Sequence, residues 1–234
     1  MPGYYPPPGY AAPAPYPAPP GYYPPPGYAQ PGYYPPPGYY PVIPAGPPPG
    51  YHEHDGFYMR LTTGITVLNA STSYGGVDST ITGAGIAFSM AFGGSITPNL
   101  ALYGELIMNS ALEPTVKSGG SSSTWNNYDL DLFGIGPGVV YYLVPANLYF
   151  SGTLAFSQLS RSGSGSSSDS SNSSVDLTNM GIGASLMVGK EWWVSNNWGL
   201  GVAGMLHLAS MKDKDVDART TAEAISILFS ATYN

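Results

Sequence analysis

From Phe57 onward, large apolar residues alternate with small, polar or ionisable residues along most of the chain. A period of two residues is that of a β-strand with one apolar face. The alternation is clearest in the first and last runs, where these side chains share a face: Phe57, Met59, Leu61, Ile65 and Val67, then Ile225, Ile227, Phe229, Ala231 and Tyr233. The pattern therefore predicts an all-β fold.

Six more alternating runs lie between these two, which gives an even total of eight predicted strands. Their apolar faces carry no charged residue, whereas the opposite faces carry Gly, Ser, Ala and the ionisable Glu105 and His207. The six runs lie near 80–92, 100–110, 128–143, 148–160, 176–189 and 198–210.

The chemistry of the two faces is the reverse of that in a soluble β-barrel, whose large apolar residues point inward. A charge at the midplane of a bilayer costs about 2–4 kcal/mol, which accounts for uncharged apolar faces. We therefore expect the apolar faces to meet lipid and the small and polar faces to line the interior.

The segments that join the runs alternate in length. The segments near 93–99, 144–147 and 190–197 are short, and the longer ones lie near 70–79, 111–127, 161–175 and 211–221. Short periplasmic turns and longer external loops are typical of outer-membrane barrels. The sequence thus predicts an eight-stranded antiparallel up-and-down transmembrane β-barrel with both chain ends on the periplasmic side.

The run at 128–143 fits this pattern less well than the others. If Asp129 and Asp131 point inward, Leu130 and Leu132 face lipid, but so do the glycines that follow. An extra residue in a strand reverses its phase, and Pro137 cannot donate to a strand ladder. We therefore expect a β-bulge near Phe133–Gly134.

Aromatic residues collect near the predicted periplasmic strand ends, a distribution typical of the girdle at a membrane interface. The residues concerned are Phe57, Tyr58, Tyr141, Tyr142, Tyr149, Trp192, Trp193, Trp198 and Tyr233.

Residues 1–55 differ from the rest in composition. They hold 21 of the 25 Pro in the chain, and GYYPPPGY occurs three times, beginning at Gly3, Gly21 and Gly32. Such a sequence buries no core and favours polyproline II, so we expect a disordered periplasmic tail before a barrel at 56–234. The tail is a spacer in the simplest interpretation and a ligand for the cell wall in the alternative.

Two short features of the N-terminal region bear on metal binding and export. His52 and His54 have the spacing of a minimal metal site, but one such pair is more typical of a polar junction, and we predict no metal or cofactor. Because the first fifty residues have neither a basic start nor an apolar stretch, we expect the chain to begin downstream of a secretory signal.

The segment 56–234 resembles the small eight-stranded outer-membrane barrels of the OmpA/OmpX-like class. The resemblance is strongest in the opening Gly56-Phe57-Tyr58-Met59-Arg60-Leu61 and in the closing run from Ile225 to Asn234. It implies that the closing strand is read by the barrel-assembly machinery and that the barrel contacts outer-membrane lipid and lipopolysaccharide. Lys212 and Lys214 in the last loop are candidates for contact with lipopolysaccharide phosphates.

An eight-stranded barrel is just wide enough for side chains to fill its interior. We therefore expect a lumen closed by a polar network of Arg60, Glu105, Asp129, Asp131 and His207, in which buried charges are paired. An ion path lined by the carboxylates is the alternative. His207 with a Ser and an acid also permits a hydrolase, but no G-x-S-x-G in a strand-to-helix setting supports one, so we predict no enzyme.

Three functions therefore remain open at this point. They are a structural or surface-interaction barrel, a narrow transport barrel for small or apolar solutes, and a soluble lipocalin-like carrier. The net charge of −7 and the scattered Lys and Arg exclude a nucleic-acid partner.

Overall fold

The computed structural model describes residues 56–143, 146–163 and 173–233, and within them the regular structure is all β. The predictions for the tail at 1–55, for His52 and His54, and for Asn234 lie outside the described residues. The strands are β1 (Phe57–Tyr74), β2 (Val77–Thr97), β3 (Leu100–Leu112), β4 (Thr115–Ser118), β5 (Ser121–Thr124), β6 (Tyr128–Leu143), β7 (Leu148–Gly163), β8 (Ser173–Asp176), β9 (Gly181–Trp193), β10 (Trp198–Lys212) and β11 (Arg219–Tyr233).

Eight of these strands form a closed antiparallel barrel in the order β1-β2-β3-β6-β7-β9-β10-β11. The barrel closes where β1 pairs with β11, from Met59–Tyr233 to Thr72–Thr220. The three short strands are additions: β4 pairs with β2 and β5, and β8 pairs with β7. The predicted eight-stranded up-and-down barrel is confirmed.

The barrel has two unlike ends. The first, called the turn end, carries Gly56, Tyr233 and the links 98–99, 144–147 and 194–197. The other, called the loop end, carries the link 75–76, the segments 113–127 and 213–218, and the ends of β7 and β8 at Gly163 and Ser173.

The two faces of each barrel strand meet different surroundings, as the alternation predicts. Ile65, Ile227 and Phe229 point outward and are 66%, 65% and 70% exposed, respectively. Arg60 and Glu105 point inward and are 0% and 2% exposed. An outer wall whose middle carries large apolar side chains and no charge needs an apolar solvent, so the fold is that of a transmembrane β-barrel.

Among the described residues, no helix is long and apolar enough to cross a membrane.

The predicted long loop near 70–79 is wrong, because β1 and β2 continue through it as a hairpin. Their pairing extends to Tyr74–Val77, and only Gly75 and Gly76 form the turn. Both glycines have positive φ, 60° and 80°, which suits the tight hairpin turn that follows the twist of the strands. The segment 111–127 likewise contains the β4–β5 hairpin instead of irregular loop.

The predicted bulge near Phe133–Gly134 is also wrong. Strand β6 keeps one register against β3 from Leu100–Tyr141 to Leu112–Asp129. Leu130 and Leu132 are therefore inward and fully buried, and the glycines that follow them share the inward face. Asp129 and Asp131 lie on the outward face at the loop end, where water replaces lipid and a carboxylate needs no buried partner.

The chain does depart from regular pairing between β8 and β9. The pairs Ser160–Asp176 and Ser157–Gly181 are separated by two residues on β7. They are separated by four residues, 177–180, on the opposite side, between β8 and β9. The extra length turns Thr178 into the barrel, where its hydroxyl accepts the Leu159 N–H at 3.0 Å. The segment 177–180 therefore bends into the barrel at the loop end, and we call this bend the inward step.

The predicted aromatic girdle is present in part. Phe57, Tyr141, Trp192 and Trp198 point outward at the turn end, where Trp198 and Tyr233 lie edge to face at 5.4 Å. Tyr58, Tyr142 and Tyr149 belong to the interior instead and are fully buried. The girdle is therefore formed by the outward half of the predicted set.

Lipid contact with the outer wall is testable with lysine substitutions on β11. Ile227→Lys would place a charge near the middle of the apolar band, so we expect the free energy of unfolding in lipid vesicles to fall by about 2–4 kcal/mol. Thr221→Lys, on the same outward face at the loop end, should cost about 0–1 kcal/mol. Equal and negligible effects, measured by denaturant titration, would contradict a lipid-facing wall.

Candidate functional site

The interior of the barrel is filled by side chains in successive layers from the turn end to the loop end. Nearest the turn end is the tyrosine layer, formed by Tyr58, Tyr103, Tyr142 and Tyr149. The histidine layer follows, formed by Thr66, Asn109, Ser157, His207 and Ser226. The leucine layer is nearest the loop end and is formed by Leu68, Leu130, Leu132, Leu159 and Met211.

Arg60 lies against the tyrosine layer with no solvent exposure. Its guanidinium carbon lies 4.8 Å from the ring centroid of Tyr149 and 5.6 Å from that of Tyr103. Aromatic faces attract a cation, and the attraction is stronger away from water. The rings thus compensate part of the cost of burying this charge.

Glu105 is the counter-charge of Arg60. Its Oε1 lies 3.9 Å from Nη2 of Arg60, which also donates to Ser151 Oγ at 3.1 Å. Two hydroxyls complete the carboxylate environment, because Ser89 donates at 2.9 Å and Thr153 at 2.5 Å. A buried charge is tolerated when it is paired and hydrogen-bonded, and both conditions are met for the Glu105 carboxylate. Of the three guanidinium nitrogens of Arg60, Nη2 alone has a hydrogen-bond partner among the described residues.

The large rings fit because glycines face them across the interior. A Cβ at Gly138 would overlap the Tyr103 ring, and a Cβ at Gly189 would overlap the Tyr149 ring. Both glycines have negative φ, so these positions require a small residue for space and not for backbone conformation. The inward glycines of the sequence are therefore the complement of the tyrosine layer.

Glu191 is a second interior carboxylate, which the sequence interpretation assigned to a turn. It is 2% exposed, and it accepts hydrogen bonds from the hydroxyls of Tyr142 and Thr232. Strand β9 extends to Trp193, so Glu191 continues the inward phase of Ser185 and Met187. Continuing the alternation of β9 two residues beyond 189 would have predicted that Glu191 points inward.

His207 lies at the centre of the histidine layer and is fully buried. Its Nδ1 lies 3.2 Å from Asn109 Nδ2, and its Nε2 lies 3.2 Å from Ser157 Oγ. The Asn109 amide can only donate from Nδ2, so Nδ1 accepts and Nε2 carries the proton toward Ser157. This tautomer makes the imidazole a donor to Ser157 and not its base.

A hydrolase would need substrate access to Ser157, and the packing leaves no room for it. Gly183 borders this serine so closely that a Cβ there would overlap Ser157 Oγ, and Gly134 borders the His207 ring. An acyl carbon must come within about 3 Å of a nucleophile to react. The Ser157–His207–Asn109 chain is therefore best described as polar packing of the lumen.

The five residues of the predicted lumen network divide into three groups. Arg60 and Glu105 lie together in the interior, and His207 lies in a separate layer nearer the loop end. The inward placement of Asp129 and Asp131 is wrong, for the reason given for β6. Ser162 donates to Asp131 at 2.5 Å, and Asp129 accepts the Glu113 N–H at 3.2 Å.

A scan against protein-family models gives no match, and neither does a search of curated proteins. Solved structures with a similar fold include Neisserial surface protein A, with 16% identity and a TM-score of 0.46 over 76% of this chain and 96% of that one. OprG of Pseudomonas aeruginosa has 11% identity and a TM-score of 0.44, over 79% of this chain and 99% of that one. Ail of Yersinia pestis has 9% identity and a TM-score of 0.38, over 75% of this chain and 99% of that one.

These likenesses concern the fold alone. The chain itself forms a closed barrel of eight antiparallel strands, as the alternation in its sequence predicts.

The pairing of Arg60 with Glu105 is testable by a double-mutant cycle. Arg60→Met leaves Glu105 buried without its counter-charge, so we expect the free energy of unfolding to fall by about 3–5 kcal/mol. Adding Glu105→Gln should restore part of the loss, because no uncompensated charge then remains. Arg219→Met at the exposed loop end is the control, with an expected change within about 0.5 kcal/mol. Additive single effects would contradict the pairing.

Proposed function

We propose that the protein is an outer-membrane barrel with a structural or surface-interaction role, whose interior is closed to solutes. The proposal rests above all on Arg60, a charged side chain that lies in the lumen with no solvent exposure. In a water-filled channel this guanidinium would be hydrated. Here it is surrounded by tyrosine rings, Ser151 and Glu105.

The leucine layer provides a second closure nearer the loop end. Leu68, Leu130 and Leu132 are fully buried, and Leu159 and Met211 are 2% and 1% exposed. A hydrated ion would have to cross this apolar layer and then displace the Arg60–Glu105 pair. Two closures in series support a scaffold over a transport barrel.

A closed lumen predicts no conductance in planar bilayers. We expect the reconstituted wild-type protein to give no current steps above the protein-free bilayer, with heat-modifiable gel mobility as the check that the sample is folded. Reproducible steps whose cation selectivity falls in Glu105→Gln would instead establish the ion path lined by carboxylates.

The proposed orientation places the turn end in the periplasm and the loop end outside the cell. The supporting feature is the contrast between links of a few residues at the turn end and the β1–β2 and β4–β5 hairpins at the loop end. Gly56 is at the turn end, so residues 1–55 would join the barrel on the periplasmic side and act there as a spacer or a ligand for the cell wall.

Two further partners belong to this proposal. Strand β11 presents Ile225, Ile227 and Phe229 outward, an apolar stripe of the kind that the barrel-assembly machinery is expected to read. At the loop end, exposed Lys212 and Lys214 are candidates for lipopolysaccharide phosphates, although Lys212 pairs with Asp217 at 2.8 Å and Lys214 with Asp176 at 2.9 Å.

The orientation is testable because the chain has no Cys. Two single-cysteine variants serve as probes, Ser122→Cys in the β4–β5 hairpin and Asn196→Cys in a turn-end link. Both positions are exposed. In intact cells, a membrane-impermeant maleimide should label the first variant and spare the second. Both should react after the outer membrane is permeabilised. Labelling of Asn196→Cys alone in intact cells would reverse the orientation.

A further inference from the structure

A cavity of about 460 Å³ occupies the mouth of the barrel at the loop end. Its floor is made by the buried residues Ala70 and Thr220 and by Leu159 of the leucine layer. The volume lies within the range of about 300–1,000 Å³ that small-molecule sites occupy. The cavity is therefore a closed-ended cup and not the entrance of a channel.

The walls of the cup are supplied by the irregular segments of the loop end. The inward step after β8 contributes Leu177 and Thr178, which are held by N–H donation to the Leu159 carbonyl at 2.9 Å and 3.3 Å. Trp125 comes from the segment that follows β5, and Ile81 comes from β2. Both pack against the buried apolar cluster below them, so the walls are continuous with the core.

The rim of the cup is acidic. Asp213 and Asp215 line it, and the described residues that line the cup include no Lys, Arg or His. Asp213 Oδ1 accepts the N–H groups of Asp215 and Val216 at 2.9 Å and 3.2 Å, which fixes the turn that carries both carboxylates. The rim thus presents fixed negative charge above apolar walls.

The basic side chains near the rim have partners other than the rim carboxylates. Lys214 donates to Asp176 at 2.9 Å, and the Arg161 guanidinium lies over the rings of Tyr128 and of Trp125, a wall residue of the cup, with centroid distances of 4.7 Å and 5.5 Å. Neither forms a salt bridge with Asp213 or Asp215 among the described residues. The rim carboxylates therefore remain available to an external cation.

We propose that this cup binds a small organic cation with an apolar or aromatic body, the body against Trp125, Ile81 and Leu177 and the charged group between Asp213 and Asp215. Apolar walls with a few convergent polar groups are typical of small-molecule sites, and the two rim carboxylates favour a cationic group over an anionic one. The proposal adds a ligand site to the scaffold and does not depend on whether the lumen conducts.

Equilibrium dialysis against the full-length protein in nanodiscs of zwitterionic lipid tests the site. The probe is trimethylphenylammonium, with benzenesulfonate as the anion of similar size and empty nanodiscs as the blank. We expect saturable binding of the cation only. Asp213→Asn/Asp215→Asn keeps the side-chain shapes and the turn acceptor, and it should raise the dissociation constant of the cation about tenfold, or about 1.4 kcal/mol.

Asp217→Asn is the control, since it makes the same Asp→Asn change once in the same loop but outside the cup. A hydrogen bond from Lys212 and its charge hold the pKa of the Asp217 carboxyl below its usual value, so the control loses a real charge at neutral pH. It should leave the dissociation constant unchanged. Absence of saturable binding, equal binding of benzenesulfonate, or equal effects of the control and the double variant would overturn the proposal.

Discussion

The pairing of β1 with β11 is the interaction on which the rest of the structure depends. In lipid, an unpaired backbone N–H or C=O has no water to bind, so a sheet can cross the membrane only when its two edges meet. The seam runs from Met59–Tyr233 to Thr72–Thr220 without a register shift. Closure at eight strands then fixes the width of the interior and, with it, the size of every side chain that fills it.

The interior follows from that width. Bulky inward groups face glycines: Tyr103 meets Gly138, Tyr149 meets Gly189, and His207 with Ser157 meets Gly134 and Gly183. The same space leaves no water around Arg60, so its charge is balanced by Glu105 and by aromatic faces. The glycines, the tyrosines and the Arg60–Glu105 pair thus fill the interior together, and each depends on the space that the others leave.

The strands and their two faces could be predicted because lipid imposes the period of two along the barrel strands between Phe57 and Tyr233. The errors occur where lipid no longer constrains the sequence. Asp129 and Asp131 lie outward beside water, and the hairpin at Gly75–Gly76 extends past the apolar band with polar residues on both faces. Glu191 could not be found because the predicted strand ends at 189, two residues before it, whereas β9 continues to Trp193. The loop-end cup joins Trp125, Leu177 and Asp213 from separate segments, a proximity that no local pattern encodes.

The seam also bears on how the molecule acquires its shape. Thr72 and Thr220, which meet there, are 148 residues apart in the chain, so their contact requires closure of a very long segment. Such distant contacts form slowly, and until they form, both outermost strands expose unpaired edges to any neighbouring chain. The chain is therefore most prone to aggregate during folding, before β1 and β11 pair.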